Sequence, residues 1–392
     1  AQNDVFWIAV RYLNIPSEIY PRDVFPVDTS YEQARDKWQD AEIDVTSYAE
    51  FQEIKGFLRH ATWQEAVKHD LPFWIARLQS FADIGSSRQL AKKARYEIAV
   101  ATLRGLGTLV GHESEVRQYL DDTPSAGETI DFEDYANLLS YCMTATNVGQ
   151  AAFSLQELSD WHAAFIDRLE QAIRTSTFPS TQAHLLQLRG HIAFHNVCGQ
   201  GIATDVDEVV GWWSKVADLL PQAPLFPLER FADSLTIICE AGCQHPHFDQ
   251  LTSRVDDALS RRIGGFAAAE KCRDRAMAHH DNGRLLDAIT EIHKAKVNWF
   301  AQETQEGCFL SMMVLARWYC DLGLCLAGKY YALAAASFVF RSDDSDLKAK
   351  TWRAFREAGE CDYRLGAWAS FLDLTGLGVW CHYEFAQEPG NL

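Results

Sequence analysis

Small residues recur at fixed intervals in the last third of this chain. Ala276, Ala288 and Ala295 are separated by 12 and then 7 residues, and Ala316, Gly328 and Ala335 repeat both intervals. Gly283 falls between the first two members of one set, and Gly323 between the first two of the other. Helix backbones approach closely only where the side chains between them are small. A glycine just past a helix end takes the left-handed conformation that stops the helix. The pattern therefore predicts two antiparallel helix pairs, one after the other, within 265–340. A weaker third copy carries Ala358, Gly366, Ser370 and Leu377. Units of about 40 residues repeating in this way stack into an array.

Helix starts are legible upstream. Ser30, Ser47, Thr62, Ser86 and Ser154 each stand three residues before a Glu or Gln. In such a capping box the hydroxyl accepts an orphan backbone N–H while the Glu or Gln reaches back. Alternating strand patterns are almost lacking, so the expected class is all-α: a helical-hairpin superhelix, or α-solenoid, irregular at its N-terminal end. Pro16, Pro21 and Pro26 forbid a long element in the first 28 residues. Beyond them the pattern predicts helices over 30–41, 47–60, 63–70, 73–83, 87–106, 113–121, 132–146, 155–175, 181–198, 205–220, 227–242, 247–262, 265–281, 284–303, 307–322, 324–340, 345–365 and 367–384. Two longer breaks interrupt the series, at 121–129 and 221–227, and the first is the better boundary. The expected regions are 1–125, 126–264 and 265–392.

The net charge of −18 argues against a surface that tracks phosphates, which needs clustered Lys and Arg. Nucleic acid is therefore not the expected partner. Ten Cys are scattered without regular pairs, which suits reduced thiols in a cytoplasmic protein. The opening residues carry Asp4 and no basic segment, so no secretory leader is expected. The longest apolar run, 330–340, is about half of what a membrane span needs. No membrane association is expected. With Ala at position 1, a trimmed Met and a segment of a longer protein are both open readings.

The region 265–385 resembles the tetratricopeptide repeats, carried by Ala276, Ala288, Ala295 and Gly283, and again by Ala316, Gly328 and Ala335. It departs from that family in its longer period and in lacking a closing Pro. The resemblance implies a concave groove that binds peptides or protein segments, hence a scaffold or sensor module, alone or within a larger regulatory protein. The first helix of each pair would line the groove. Lys271, Arg275 and His279 on 265–281, Arg317 and Asp321 on 307–322, and Lys350 and Arg353 on 345–365 are the candidate lining residues. They recur three or four apart, which places each set on one face. A modestly basic groove of this kind suits an acidic peptide; ordinary solvated helix faces would carry the same charges.

Other constellations point to chemistry. Arg189 and His195, and Arg273 and His279, stand six apart, a spacing similar to the Arg-x(4–6)-His motif of HEPN ribonucleases. That resemblance implies His for proton transfer and Arg for the developing charge, as an alternative function. Cys239, Cys243, His245 and His247 offer four zinc-ligand types, but nine contiguous residues are too cramped to wrap an ion. No cofactor or metal is expected. His191 and His195 share a helix face, and Ser342–Asp346 reads as an N-cap rather than a calcium loop. Trp212 and Trp213, and Trp380 with Tyr383, read as core aromatics, with an exposed ligand platform as the alternative. An acidic, Trp-rich chain of this length also suits an α/α-toroid sugar-processing enzyme, but no convincing carboxylate pair accompanies it.

Overall fold

In a computed structural model of the chain, the described residues are 31–40, 48–84, 88–122, 124, 129–200, 206–301 and 304–385. Among them every regular element is helical. They separate into two compact units, 1–226 and 227–392, parting in the 221–227 connector. No helix of the described residues is long and apolar enough to cross a membrane.

The first unit holds α1 (Tyr31–Asp40), α2 (Tyr48–Trp63), a 3-10 helix (Glu65–Asp70), α3 (Leu71–Ile84) and α4 (Arg88–Ala101). It continues through a π-helical turn (Thr102–Leu106), α5 (Glu113–Asp121), α6 (Thr129–Asn147), α7 (Leu155–Thr175), α8 (Pro179–Gln200) and α9 (Val206–Leu219). On α2 the apolar positions Phe51, Ile54, Leu58 and Ala61 follow the 3–4 spacing of a single face. They meet Trp74 and Leu78 of α3 and Ala94 and Ile98 of α4 in one buried cluster. Phe57 stacks on Trp74 at 5.2 Å, and the Trp74 indole donates to the Tyr31 hydroxyl at 2.7 Å. Each such buried aromatic contributes about 1.5–3 kcal/mol.

Ser154 forms the expected capping box: its hydroxyl accepts from the Glu157 amide at 3.1 Å while Glu157 accepts from the Ser154 amide at 2.8 Å. Thr62 does not cap. α2 runs through it to Trp63, and its hydroxyl donates back to the Leu58 carbonyl at 2.8 Å. Inside a helix that i−4 carbonyl is the nearer partner for a threonine. Ser30, Ser47 and Ser86 lie outside the described residues.

The second unit holds α10 (Leu228–Ile237), α11 (Cys239–Gly242), α12 (Phe248–Arg262), α13 (Gly265–Asp281) and α14 (Leu285–Ala301). It then holds α15 (Gln305–Asp321), α16 (Cys325–Phe340), α17 (Ser345–Lys348), α18 (Thr351–Arg364) and α19 (Trp368–Phe385). Three hairpins, α13/α14, α15/α16 and α18/α19, stack in sequence, α14 packing on α15 and α16 on α18. Ala276, Ala288, Ala295, Ala316 and Ala335 are completely buried at these crossings. At Gly328 the backbones approach closely: a Cβ there would lie 2.6 Å from the Ala316 carbonyl oxygen.

Each hairpin turns in the same way. Gly283, Gly323 and Gly366 have φ of 73°, 78° and 72°. At each, the glycine N–H bonds to the carbonyl three residues back and the next N–H to the carbonyl five residues back, at 2.8–3.0 Å. This is the paired bonding of a Schellman motif, which satisfies the last carbonyls of the first helix.

Two predicted helices are broken. The 345–365 helix is α17 and α18 with a turn between them, and 227–242 is α10 and α11 with a break at Ile238. Asp344 caps α17, accepting from the amides of Asp346 at 2.9 Å and Leu347 at 3.1 Å. The third hairpin also uses different positions from the first two. Leu377 is 45% exposed, whereas Leu374, Gly378 and Cys381 are buried. Gly378 faces α18, where an added Cβ would make an ordinary van der Waals contact, 3.4 Å from the Trp352 carbonyl oxygen.

Candidate functional site

Lys271, Arg275 and His279 do share a face of α13, but neighbouring helices cover that face. Lys271 binds Asp233 of α10. Arg275 is 1% exposed and held by Asp256 of α12 at 2.5 and 3.1 Å and by Glu291 of α14 at 2.9 Å. Burial works against a charged guanidinium, but the two carboxylates outweigh it. Glu291 is pushed up by burial yet held below the ordinary carboxylate range by Arg275 and Lys294. His279 lies against Cys239 of α11 at 3.3 Å. Its Nδ1 accepts from the Arg284 Nε at 3.2 Å, so the proton sits on Nε2 and is directed at the sulfur. Burial lowers the His279 pKa and keeps the ring neutral. The helices that cover this face, α10 to α12, precede the legible repeats, and the spacing alone gives no sign of them.

The other lining candidates tie one hairpin to the next. Arg317 lies 3.8 Å from Glu357, Asp321 3.3 Å from Arg364, and Lys350 2.6 Å from Glu306. Arg353 sits over Trp352 of its own helix at 5.6 Å. These pairs join α15 to α18 and to the turn before it, and the solvent-exposed ones are worth little individually.

The ribonuclease spacing does not converge in the 273–279 copy. Arg273 is paired with Glu270 at 2.5 Å and Asp274 at 2.8 Å on an exposed face, while His279 is buried on another. Six residues are about 1.7 helical turns, which separates the two side chains. Arg189 is taken up by Glu208 at 2.6 Å and Glu170 at 3.4 Å; the His195 side chain lies outside the described residues. His191 packs edge-on against Trp213 at 5.2 Å. Trp213 is buried, its N–H donating to the Gln187 carbonyl at 3.0 Å, whereas Trp380 and Tyr383 are 49% and 64% exposed.

Cys239, Cys243, His245 and His247 do not bring three ligand atoms together. Cys239 faces His279, and the His245 Nδ1 accepts from the His247 amide at 3.2 Å. Among the described residues, the metal-compatible grouping is Asp256, Cys272 and Glu291. The Arg275 guanidinium already bonds all three, with Nη2 3.3 Å from the Cys272 sulfur. A cation is present there, and it is an arginine.

A groove that the sequence does not announce lies along the second helices. It measures about 630 Å³ and runs between α14 and α16, with Gln305 and Met312 of α15 at its base. Phe300 and Phe338 meet edge to face at 5.6 Å along one side. Tyr331 stacks on Tyr319 at 5.6 Å with rings nearly parallel, and Tyr330, 67% exposed, stands across it at 5.3 Å. His293 is hydrogen-bonded to the Tyr319 hydroxyl at 3.0 Å. The cations here are Lys296, 4.9 Å above the Tyr331 ring, and Arg341. Among the described residues neither has a carboxylate within ion-pair distance. Burial pushes the Lys296 pKa down. The Tyr330-Tyr331 doublet was the available signal, but the resemblance directs attention to first helices.

No protein-family model matches the chain, and no curated protein matches it. Solved structures similar to it include a signal transduction ATPase with numerous domains, carrying a tetratricopeptide repeat sensor, from Pyrococcus horikoshii. It is 13% identical with a TM-score of 0.38, over 90% of this chain and 52% of that one, so the chain spans about half its length. A circular tandem repeat protein is 11% identical with a TM-score of 0.23, over 86% of this chain and 83% of that one.

Proposed function

We propose that this chain is a binding module, a helical-repeat scaffold or sensor that docks an acidic segment of another protein in the groove between α14 and α16. The observation that carries the reading is the pair Lys296 and Arg341, cations without a carboxylate partner among the described residues, at the edge of an aromatic-walled cleft. Aromatic walls supply apolar area with little entropy to lose, and the cations select a negative partner and set its register. The volume falls within the range of about 300–1,000 Å³ typical of small-ligand pockets, enough for a short stretch of peptide. Arg189, Arg273 and His279 are engaged elsewhere, and so the ribonuclease alternative gains no support from their placement.

Selection of a displayed random-peptide library on the purified protein tests this. The expected winners carry Asp or Glu next to Phe, Tyr or Leu, and their affinity falls as salt rises. Basic winners, or none above background, would refute the assignment.

A further inference from the structure

The first unit carries a different cluster of charges on its α2, α4 and α6 helices, which are successive neighbours. Lys55, Arg59 and Trp63 recur every four residues along α2 and so share a face. Arg59 donates to both oxygens of Glu97 on α4, at 2.6 and 2.8 Å. Lys93, also on α4, binds Asp134 of α6 and lies 3.9 Å from Glu97. Both carboxylates are thereby engaged. Lys55 stands among these four charged groups and over the Phe51 ring at 5.8 Å. Among the described residues its ammonium has no hydrogen-bond or ion-pair partner. Three cations thus face two carboxylates, and the surplus positive charge sits in a partly buried place where an unpaired ion is costly.

Farther along the same face α4 ends in the π-helical turn Thr102–Leu106, a distortion that recurs at functional sites. The turn presses Gly105 against Leu71, where an added Cβ would lie 2.2 Å from the Leu71 Cδ2. It also sets Arg104 over two rings, 5.3 Å from Trp63 and 4.7 Å from Tyr141, with a hydrogen bond to the Tyr141 hydroxyl at 2.7 Å. Among the described residues Arg104 has no carboxylate partner, and Trp63 is 64% exposed.

We propose that this face is a second binding site, which takes an extended acidic peptide with one carboxylate on Lys55 and another on Arg104. Trp63 lies two helical turns beyond Lys55, about 12 Å along the axis. An extended chain advances about 3.3 Å per residue, so the two acidic residues stand about three or four positions apart. The planar Arg104 guanidinium, held between rings, presents a fork suited to a carboxylate.

The site has a pH signature. Burial holds Lys55 at about 7, with the Glu97 charge raising it and Arg59 and Lys93 lowering it further, while Asp134 faces it from α6. A docked carboxylate favours the ammonium, so binding takes up a proton above pH 7 and weakens as pH rises.

Decapeptides with two aspartates separated by zero to six serines, titrated by fluorescence anisotropy, provide the test. Separations of two or three should bind best. Lys55→Met or Arg104→Gln should weaken them about tenfold or more, and Lys296→Ala with Arg341→Ala should not. Affinity should fall between about pH 6 and pH 9 in the wild type, and stay level in Lys55→Arg. Circular dichroism of each variant guards against misfolding. The proposal is overturned by no binding at about 1 mM, no dependence on spacing, insensitivity to Lys55, or stronger binding of an oligonucleotide of equal charge. A loss confined to the Lys296/Arg341 variant would overturn this site while sparing the groove of the second unit.

Discussion

The Arg275 guanidinium closes on the Asp256 carboxylate with two hydrogen bonds, at 3.1 and 2.5 Å, and does so almost wholly out of water. An arginine in that position joins α12, α13 and α14 through one charge, since Glu291 binds it from the other side. Arg275→Met should cost about 3–5 kcal/mol in urea unfolding, because Asp256 would stay buried without a cation and Glu291 would keep Lys294 alone. Replacing Arg275, Asp256 and Glu291 together by apolar residues should recover most of that loss.

Gly328 and Gly56 give opposite outcomes for the same substitution. Gly328→Ala puts a methyl 2.6 Å from the Ala316 carbonyl oxygen, and should destabilise by about 1–3 kcal/mol. Gly56 stands on α2 with nothing within 4 Å of an added Cβ, so Gly56→Ala should stabilise by up to about 1 kcal/mol. Thermal melts of the two single variants check both signs.

The capping box at α7 predicts an acid-sensitive contribution. Hydrogen bonds from Arg117 and Ser154 hold Glu157 at about 2, below its unfolded value of 4.5. Its contribution is therefore complete above pH 4.5 and is lost as pH falls toward 2. Ser154→Ala should lower stability by about 1 kcal/mol at neutral pH. Stability curves of the wild type and Glu157→Gln, which removes the titrating carboxylate, should converge as the pH falls through that window.

How legible all this was depended on whether a residue answered to its own helix or to a distant one. The small residues at 276, 288, 295, 316 and 335 and the turn glycines at 283 and 323 answer to local packing and backbone conformation. They appear in the structure as their spacing implies. Thr62 misled because a competing partner, the Leu58 carbonyl, lies outside the motif, and Leu377 because the third hairpin buries Leu374, Gly378 and Cys381 instead. The face of α13 misled for a stronger reason. Periodicity reveals that Lys271, Arg275 and His279 share a side, but not that Asp233, Asp256 and Cys239 cover it. The groove residues Lys296, on α14, and Arg341, just past the end of α16, stand 45 positions apart in sequence, and only stacking brings them to one cleft.

The thiols should be graded by burial. Burial pushes Cys142 and Cys239 up to about 12, and Cys243 is raised by the same cause while remaining partly accessible. Native labelling with a thiol reagent followed by peptide mapping should therefore modify Cys243 first among the described cysteines. Early modification of Cys142 or Cys239 would contradict the packing.

The most direct test of the binding-module reading is the affinity of a library-selected acidic peptide for the wild type and for Lys296→Glu with Arg341→Glu, measured by calorimetry at two salt concentrations. The account predicts that the double variant loses about a hundredfold or more in affinity while its melting temperature is little changed. It also predicts that the salt dependence seen in the wild type is largely abolished. Equal affinities for the two proteins would contradict it.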